Sequence, residues 1–257
     1  DGHLALSIIE RIVAKKFYNE AFLKAFTDLP LLVRTDTREL IRLSDVDTTS
    51  TQFDTSSLKL FFEVDGKRET HANACFVVFN QLNQKFSAVP GSEGSALETL
   101  RLADRDWKID PALKGQWQLQ LKDGRRVKVT TAFTLFQKEL GAYKAEKIQS
   151  MTGVHPEIVN TLAVDLTKSK CAVITMGFAI GKHFNGLLSQ RAISSLAAFT
   201  GRLGPKGGIN TENEWSISGL EGLSGFQGKY QHRFASGFVS EFVLGDQVEE
   251  FEKLYTD

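Results

Sequence analysis

The run CAVITMGFAIGKHFNGLLSQRAISSLAAFTGRLGPKGG, from Cys171 to Gly208, decides the fold of this chain. In it a strand, a glycine-broken loop, a helix and a second glycine turn follow one another without a gap. Cys171 to Met176 is short and uncharged, with Val173, Ile174 and Thr175 β-branched, the composition of a strand buried on both faces of a parallel sheet. Gly177 ends it, and the loop from Gly177 to Phe184 leads to Asn185, a residue type favoured as a helix N-cap. Leu187, Leu188, Arg191, Ala192, Leu196 and Phe199 then fall at helical spacing, and the helix is expected to stop at Gly201. Gly204, Pro205, Gly207 and Gly208 make a second flexible turn.

A strand feeding a helix through a loop puts that loop at the carboxyl edge of the sheet. There α/β proteins bind ligands, and the helix N-terminus turns its N–H groups and partial positive charge outwards. An anionic cofactor suits such a place, although the same spacing also describes a βα unit that binds nothing. The chain has no GxGxxG and no glycine-rich loop ending in Gly-Lys-Ser or Gly-Lys-Thr, so neither a Rossmann nor a Walker phosphate site is written in it.

Upstream, His155-Pro156 opens a helix whose apolar stripe is Ile158, Val159, Leu162, Ala163 and Leu166, with His155 beside the cap. Ala132 to Leu140 and Ala145 to Met151 also read as helical. Between about residues 35 and 130 the character is β-rich. Leu58 to Val64 and Ala74 to Phe79 are expected to flank a turn at Asp65-Gly66, and Gln116 to Leu121 and Arg126 to Thr131 alternate around Lys122-Asp123-Gly124, a hairpin signal. His71 lies there without clustered partners and reads as a surface histidine. At the start, Leu4, Ile8, Ile9, Ile12 and Val13 form one face of a helix running to about Lys16, followed by a short helix from about Asn19 to Phe26 and an extended Leu31 to Arg34. Downstream, Gly219, Gly222, Gly225 and Gly228 recur every third residue, and Val248 to Tyr255 reads as an acidic amphipathic helix.

Lysine plus arginine equal aspartate plus glutamate at 31 each, so no overall field draws the chain to nucleic acid or anionic lipid. Cys75 and Cys171 are too few for a disulfide scaffold or an iron–sulfur cluster ligated by this chain alone. No stretch reaches the roughly 18 apolar residues of a membrane span. The chain begins at Asp1 in the approach to a helix, and a fragment of a larger multi-domain subunit is expected.

The stretch TGVHPEIVNTLAVDLTKSKCAVITMGFAIGKHFNGLLSQRAISSLAAFTGRLGPKGGINTENEW resembles the third domain of the molybdopterin oxidoreductases. The likeness is one of order: a Thr-Gly-Val helix, a buried strand, a glycine loop with a His and an Asn, a small-residue helix with an Arg, then Thr-Gly-x-x-Gly-x-x-Gly-Gly. The opening DGHLAL, LPLLVR at 29–34, PGSEGS at 90–95 and DPALKGQWQLQLKDGRRVKVTTAFTLFQKEL at 110–140 resemble the branch of that family containing respiratory nitrate reductase and nitrite oxidoreductase.

The resemblance implies an α/β, three-layer αβα fold with a mostly parallel sheet and a β-rich insertion. Residues 1–150 would belong to a first dinucleotide-binding domain carrying the insertion at about 35–130, and residues 151–257 to an incomplete second α/β cofactor-binding domain. The implied cofactor is molybdenum bis(molybdopterin guanine dinucleotide), with an iron–sulfur cluster expected elsewhere in the full subunit. Cofactor contacts map onto Asp1, Gly177, Phe178, Lys182, His183, Asn185, Asn213, Glu214 and Trp215. In the branch of periplasmic nitrate reductases Met and Gln are common at two of these places, so Phe178 and Lys182 imply contacts of a different kind, with Lys182 suited to a pyrophosphate. No residue is nominated as catalyst or metal ligand. The resemblance further implies reduction of nitrate or oxidation of nitrite by oxygen-atom transfer, with perchlorate, selenate, dimethyl sulfide and ethylbenzene as alternative substrates. It also implies an iron–sulfur electron-transfer partner, a possible haem or membrane-anchor subunit, and a membrane-associated complex facing cytoplasm or periplasm. A non-redox nucleotide-binding or structural domain is the alternative from another class.

Overall fold

Residue-level structure comes from a computed structural model, which describes residues 1–56, 62–64, 67–69, 75–90, 109–176, 178–203 and 209–211. Helix α1 (Gly2–Ala14) buries Ala5, Ile8, Ile9, Ile12 and Val13 on one side, at the spacing the sequence shows. It ends at Ala14 where Lys16 takes a left-handed φ of 56° and turns the chain back. Helix α2 (Glu20–Phe26) is capped by Asn19, whose Oδ1 accepts from the Phe22 N–H at 3.0 Å. Strand β1 (Leu32–Arg34) follows, and then the chain enters its β-rich part.

The pairing there departs from the expectation in one respect. Strand β2 (Phe62–Val64) pairs with β3 (Lys67–Glu69), and not with the strand that begins at Cys75. That strand, β4 (Cys75–Asn80), pairs antiparallel with β5 (Lys85–Pro90), which the sequence reading missed. β6 (Gln116–Gln120) and β7 (Arg126–Thr131) form the expected hairpin, with Gly124 at φ 82° in its turn and Asp123 Oδ1 accepting from the Arg125 N–H. β7 lies between β1 and β6 in one antiparallel sheet. Phe79 of β4 stacks on Trp117 of β6, ring centroids 4.5 Å apart, which ties the β4–β5 pair to this sheet. Leu32, Val77, Phe86, Leu119, Val127 and Val129 make a core of their own between them.

Just beyond β1, Arg34 grips Asp36 with both forks of its guanidinium, Nε to Oδ1 at 3.0 Å and Nη2 to Oδ2 at 2.7 Å, and holds that carboxyl down at about 2. A depressed folded-state value stabilises the fold above the ordinary carboxylate range, and the contribution is lost as pH falls through about 2. Asp36 is accordingly expected to titrate near 2 by NMR, and Arg34→Gln to return it to about 4. A wild-type midpoint already near 4 would show that the fork does not persist in solution.

β7 runs without a loop into helix α3 (Ala132–Glu139). Thr131, at the junction, is fully buried; its Oγ1 accepts from the Thr134 N–H and lies 2.8 Å from the Leu113 carbonyl, to which it donates. Helix α4 (Ala145–Thr152) stops at Gly153, φ 70°. Helix α5 (Pro156–Lys168) has His155 as its actual N-cap, the imidazole Nδ1 accepting from the Glu157 N–H. Of its expected stripe, Val159 and Ala163 are buried and Leu162 and Leu166 are partly so, whereas Ile158 is exposed.

Strand β8 (Ile174–Met176) is shorter than expected. Residues 171, 173 and 175 on one of its faces are exposed, so only the other face meets the core. Helix α6 (Gly186–Phe199) is followed by β9 (Ile209–Thr211), which pairs parallel with β8. Among the described residues this is the one parallel pair; the other paired strands are antiparallel. A single helical core joins α1, α2, α3, α5 and α6 and takes residues from both sides of residue 150. Its centre is Phe133, against Tyr18 and Phe199 at ring distances of 5.3 and 6.0 Å.

Candidate cofactor site

The geometry of the site begins with the register of β8 and β9. Ile174 pairs with Ile209, Thr175 with Asn210 and Met176 with Thr211, so both strands end at the same edge and the chain leaves them there side by side. After β8 it makes a 3-10 turn, Phe178–Lys182, and then passes through His183, Phe184 and Asn185 into α6. The turn is fastened to the helix: the Gly186 N–H donates to the His183 carbonyl at 2.8 Å, and a Cβ on Gly186 would stand 2.3 Å from the Ile180 carbonyl oxygen.

Asn185 is the N-cap of α6, as its residue type suggests, but it sits at φ 61° and its side chain caps no N–H. The first turn of α6 thus keeps amide groups that no capping side chain takes, together with the positive end of the helix dipole. Lys182, His183, Phe184 and Asn185 are all exposed around it.

A second helix N-terminus arrives at the same place. Gly2 lies against Ser189, so close that a Cβ on Gly2 would be 3.0 Å from Ser189 Oγ and 3.1 Å from Ser189 Cα. Five residues beyond the end of α1, at the cap of α2, the Asn19 N–H donates to the Phe199 carbonyl at 2.8 Å. The start of α1 therefore lies beside the fourth residue of α6, at the end of that helix's first turn. Asp1 caps α1 only through its backbone carbonyl, which accepts from the Ala5 N–H at 2.9 Å; its exposed carboxylate caps nothing. The structure in this way brings Asp1 and the loop Lys182–Asn185 to one edge. For Phe178 the backbone alone is described, and Gly177, Asn213, Glu214 and Trp215, like His71 and the glycine repeat at 219–228, lie outside the described residues.

The apolar stripe expected along α6 holds only from Ala192 onward. Leu187 and Leu188 are 67% and 59% exposed and Phe184 is 97% exposed, because the first turn projects past the end of the core that receives Ala192, Ile193, Leu196 and Phe199. Gly2, Gly186 and Ser189 were not singled out from the sequence. The signal was a glycine as the first residue of each of two helices, where it caps nothing and gives no advantage in helix propensity.

What these groups can do chemically is limited and consistent. An uncapped helix N-terminus with a lysine beside it suits phosphate oxygens, and a carboxylate suits a group presenting two N–H donors, such as a guanine edge. Among the described residues no group of three or more His, Cys, Asp and Glu is arranged to hold a metal ion, and Cys75 is buried, which pushes its thiol pKa up. No helix of the described residues is long and apolar enough to cross a membrane.

No protein-family model matches the chain. Curated relatives match it nearly end to end. It is 32% identical over 256 residues to dimethylsulfide dehydrogenase subunit alpha of Rhodovulum sulfidophilum, an alignment covering 99% of this chain and 25% of that protein. It is 31% identical over 258 residues to chlorate reductase subunit alpha of Ideonella dechloratans, covering 100% and 25%. It is 30% identical over 240 residues to respiratory nitrate reductase subunit alpha of Haloferax mediterranei, covering 89% and 22%. The chain thus spans about a quarter of the length of the curated relatives it matches.

Proposed function

From the premise that this chain belongs, over nearly its whole length, to the alpha subunits of the molybdopterin oxidoreductases, we propose that it helps to hold molybdenum bis(molybdopterin guanine dinucleotide) in the catalytic subunit of an oxidoreductase. The observation that carries the reading is the shared edge. Two in-register parallel strands end at one edge, where the turn ending in Lys182 leads into α6 and Asp1-Gly2 lies beside the first turn of that helix.

When bound, the molybdenum centre supplies oxygen-atom transfer and two-electron chemistry. The residues of this chain bind and orient. Lys182 and the first-turn amides of α6 take pyrophosphate oxygens. The Asp1 carboxylate accepts from the N–H groups of a guanine edge. His183 and Asn185 line the same loop, and Gly177, Phe178, Asn213, Glu214 and Trp215 complete the contact set. The fold that goes with this is the three-layer αβα arrangement, in which the face of β8 carrying Cys171, Val173 and Thr175 receives a second helical layer, since parallel sheets are covered on both faces. The substrate is a small molecule that gives up or accepts an oxygen atom. Nitrate is the first choice from sequence, and the names of the relatives widen the set to chlorate, perchlorate and dimethyl sulfide. Electrons pass to an iron–sulfur partner subunit.

The experiment is anaerobic expression of the full-length parent subunit with molybdate, followed by assay of molybdenum and acid-released guanine nucleotide. Two guanine nucleotides per molybdenum are expected. Lys182→Ala removes a charge-assisted contact of about 1.5–3 kcal/mol and should cut nucleotide retention roughly tenfold or more. An unchanged load in that variant removes the role given to Lys182, and guanine nucleotide without molybdenum turns the reading to a nucleotide-binding module without redox chemistry.

A further inference from the structure

We infer that Gly2 and Ser189 are positioning residues: their contact sets the height of the α1 N-terminus, and with it Asp1, against the loop that opens α6. The inference rests on the cofactor reading above and adds a device that this reading does not contain.

The contact leaves no slack. A Cβ on Gly2 would meet Ser189 Oγ at 3.0 Å, Cα at 3.1 Å and Cβ at 3.3 Å. Because Cα is backbone, rotating the serine side chain relieves only part of the crowding, and the first turn of α6 itself has to move. What moves with it is fixed by hydrogen bonds and close packing. The Ser189 N–H donates to the Asn185 carbonyl at 3.0 Å, and Gly181 packs on Gln190, so close that a Cβ there would lie 3.0 Å from Gln190 Nε2. The turn holding Lys182 therefore travels with Ser189.

The other end of the helix pair cannot absorb the shift. Gly201, at φ 68°, faces Asn19 so closely that a Cβ on it would be 2.3 Å from Asn19 Nδ2. Asn19 in turn bonds the Phe199 carbonyl and caps α2. α6 is thus held by Gly2 of α1 near its start and by the N-cap of α2 near its end, and it cannot slide by a helical turn without breaking one of these contacts. A bulkier residue at position 2 must then tilt the two N-termini apart at the place where Asp1 and Lys182 face a common ligand. Helix propensity argues the other way, since alanine or leucine at an early helical position is intrinsically better than glycine. A loss on substitution is thus opposite in sign to the local effect.

The test uses the full-length parent subunit purified anaerobically, with guanine nucleotide released per polypeptide as one readout and the thermal midpoint of cofactor-free preparations as the other. Gly2→Ala, which needs a shift of a few tenths of an ångström, is expected to lower nucleotide retention about threefold, and the bulkier Gly2→Leu roughly tenfold or more. The cofactor-free midpoints should stay within about 2 °C of wild type, as for a variant that leaves the core intact. Gly2→Ala with Ser189→Gly, which removes Oγ and Cβ and leaves Cα, should recover part of the loss of Gly2→Ala alone. Wild-type loading in Gly2→Leu overturns the inference, and so does a loss that follows the cofactor-free midpoint down or that the second substitution does not recover. A wild-type subunit without guanine nucleotide overturns the cofactor reading itself, whereas a loaded wild type with an equally loaded Gly2→Leu overturns this inference alone.

Discussion

Gly186→Ala is expected to unseat the turn that carries Lys182 and to cost about 3 kcal/mol, the upper end for overpacking a tight site. The added Cβ would stand 2.3 Å from the Ile180 carbonyl oxygen and 2.7 Å from the Gly181 carbonyl carbon and oxygen, all of them backbone atoms that no rotamer change moves. Alanine improves helix propensity over glycine by about 1 kcal/mol, which is too little to reverse the sign. Urea denaturation measures the net loss, and hydrogen exchange of the Phe178–Lys182 turn measures where it falls. Stability within about 0.5 kcal/mol of wild type, with unchanged exchange there, would show that the turn is not seated on Gly186 as described.

Phe133→Ala should have the largest effect on the fold, about 4 kcal/mol, from lost transfer energy and an unfilled cavity. The ring is fully buried at the centre of the helical core, between Tyr18 and Phe199, with Lys114 Nζ 5.0 Å above it. Set against the 5–15 kcal/mol that holds a typical domain together, about 4 kcal/mol is a large fraction of the whole. Phe184→Ala is the matched control. It removes the same side chain from a position 97% exposed and should change the urea midpoint little. Equal losses in the two variants would contradict the assigned burial.

Several elements were open to sequence reading because a local signal determined them. Pro156 marked the start of α5, Lys122-Asp123-Gly124 marked the β6–β7 turn, and the spacing of Ile8, Ile9, Ile12 and Val13 marked the inner side of α1. What periodicity does not state is the partner. Two alternating runs with Asp65-Gly66 between them suggested one pair, yet β4 finds its partner in Lys85–Pro90, whose lysine, serine and proline obscure the pattern. Periodicity also does not say how far along a helix the core extends: Leu187 and Leu188 share the helical spacing of Ala192, Leu196 and Phe199, yet they are exposed. For the site, the strand-loop-helix order was local and visible. The approach of Asp1 to α6 came only through family resemblance, because a contact between opposite ends of the chain, here Gly2 on Ser189, leaves no trace in short-range pattern.

The same long-range contact sets a timetable for synthesis. The strands from β1 to β7 pair among themselves, whereas α1 packs against α4, α5, α6 and the turn at 140–143, all of which come later in the chain. At about 5–20 residues per second, the earliest part of the chain waits roughly ten to forty seconds for the helix it lies beside. Until then Ile8, Ile9, Ile12 and Val13 lack the surfaces of α5 and α6 that they pack against in the finished fold. Slowing translation of the β-rich part would lengthen the exposure and leave the finished fold unchanged.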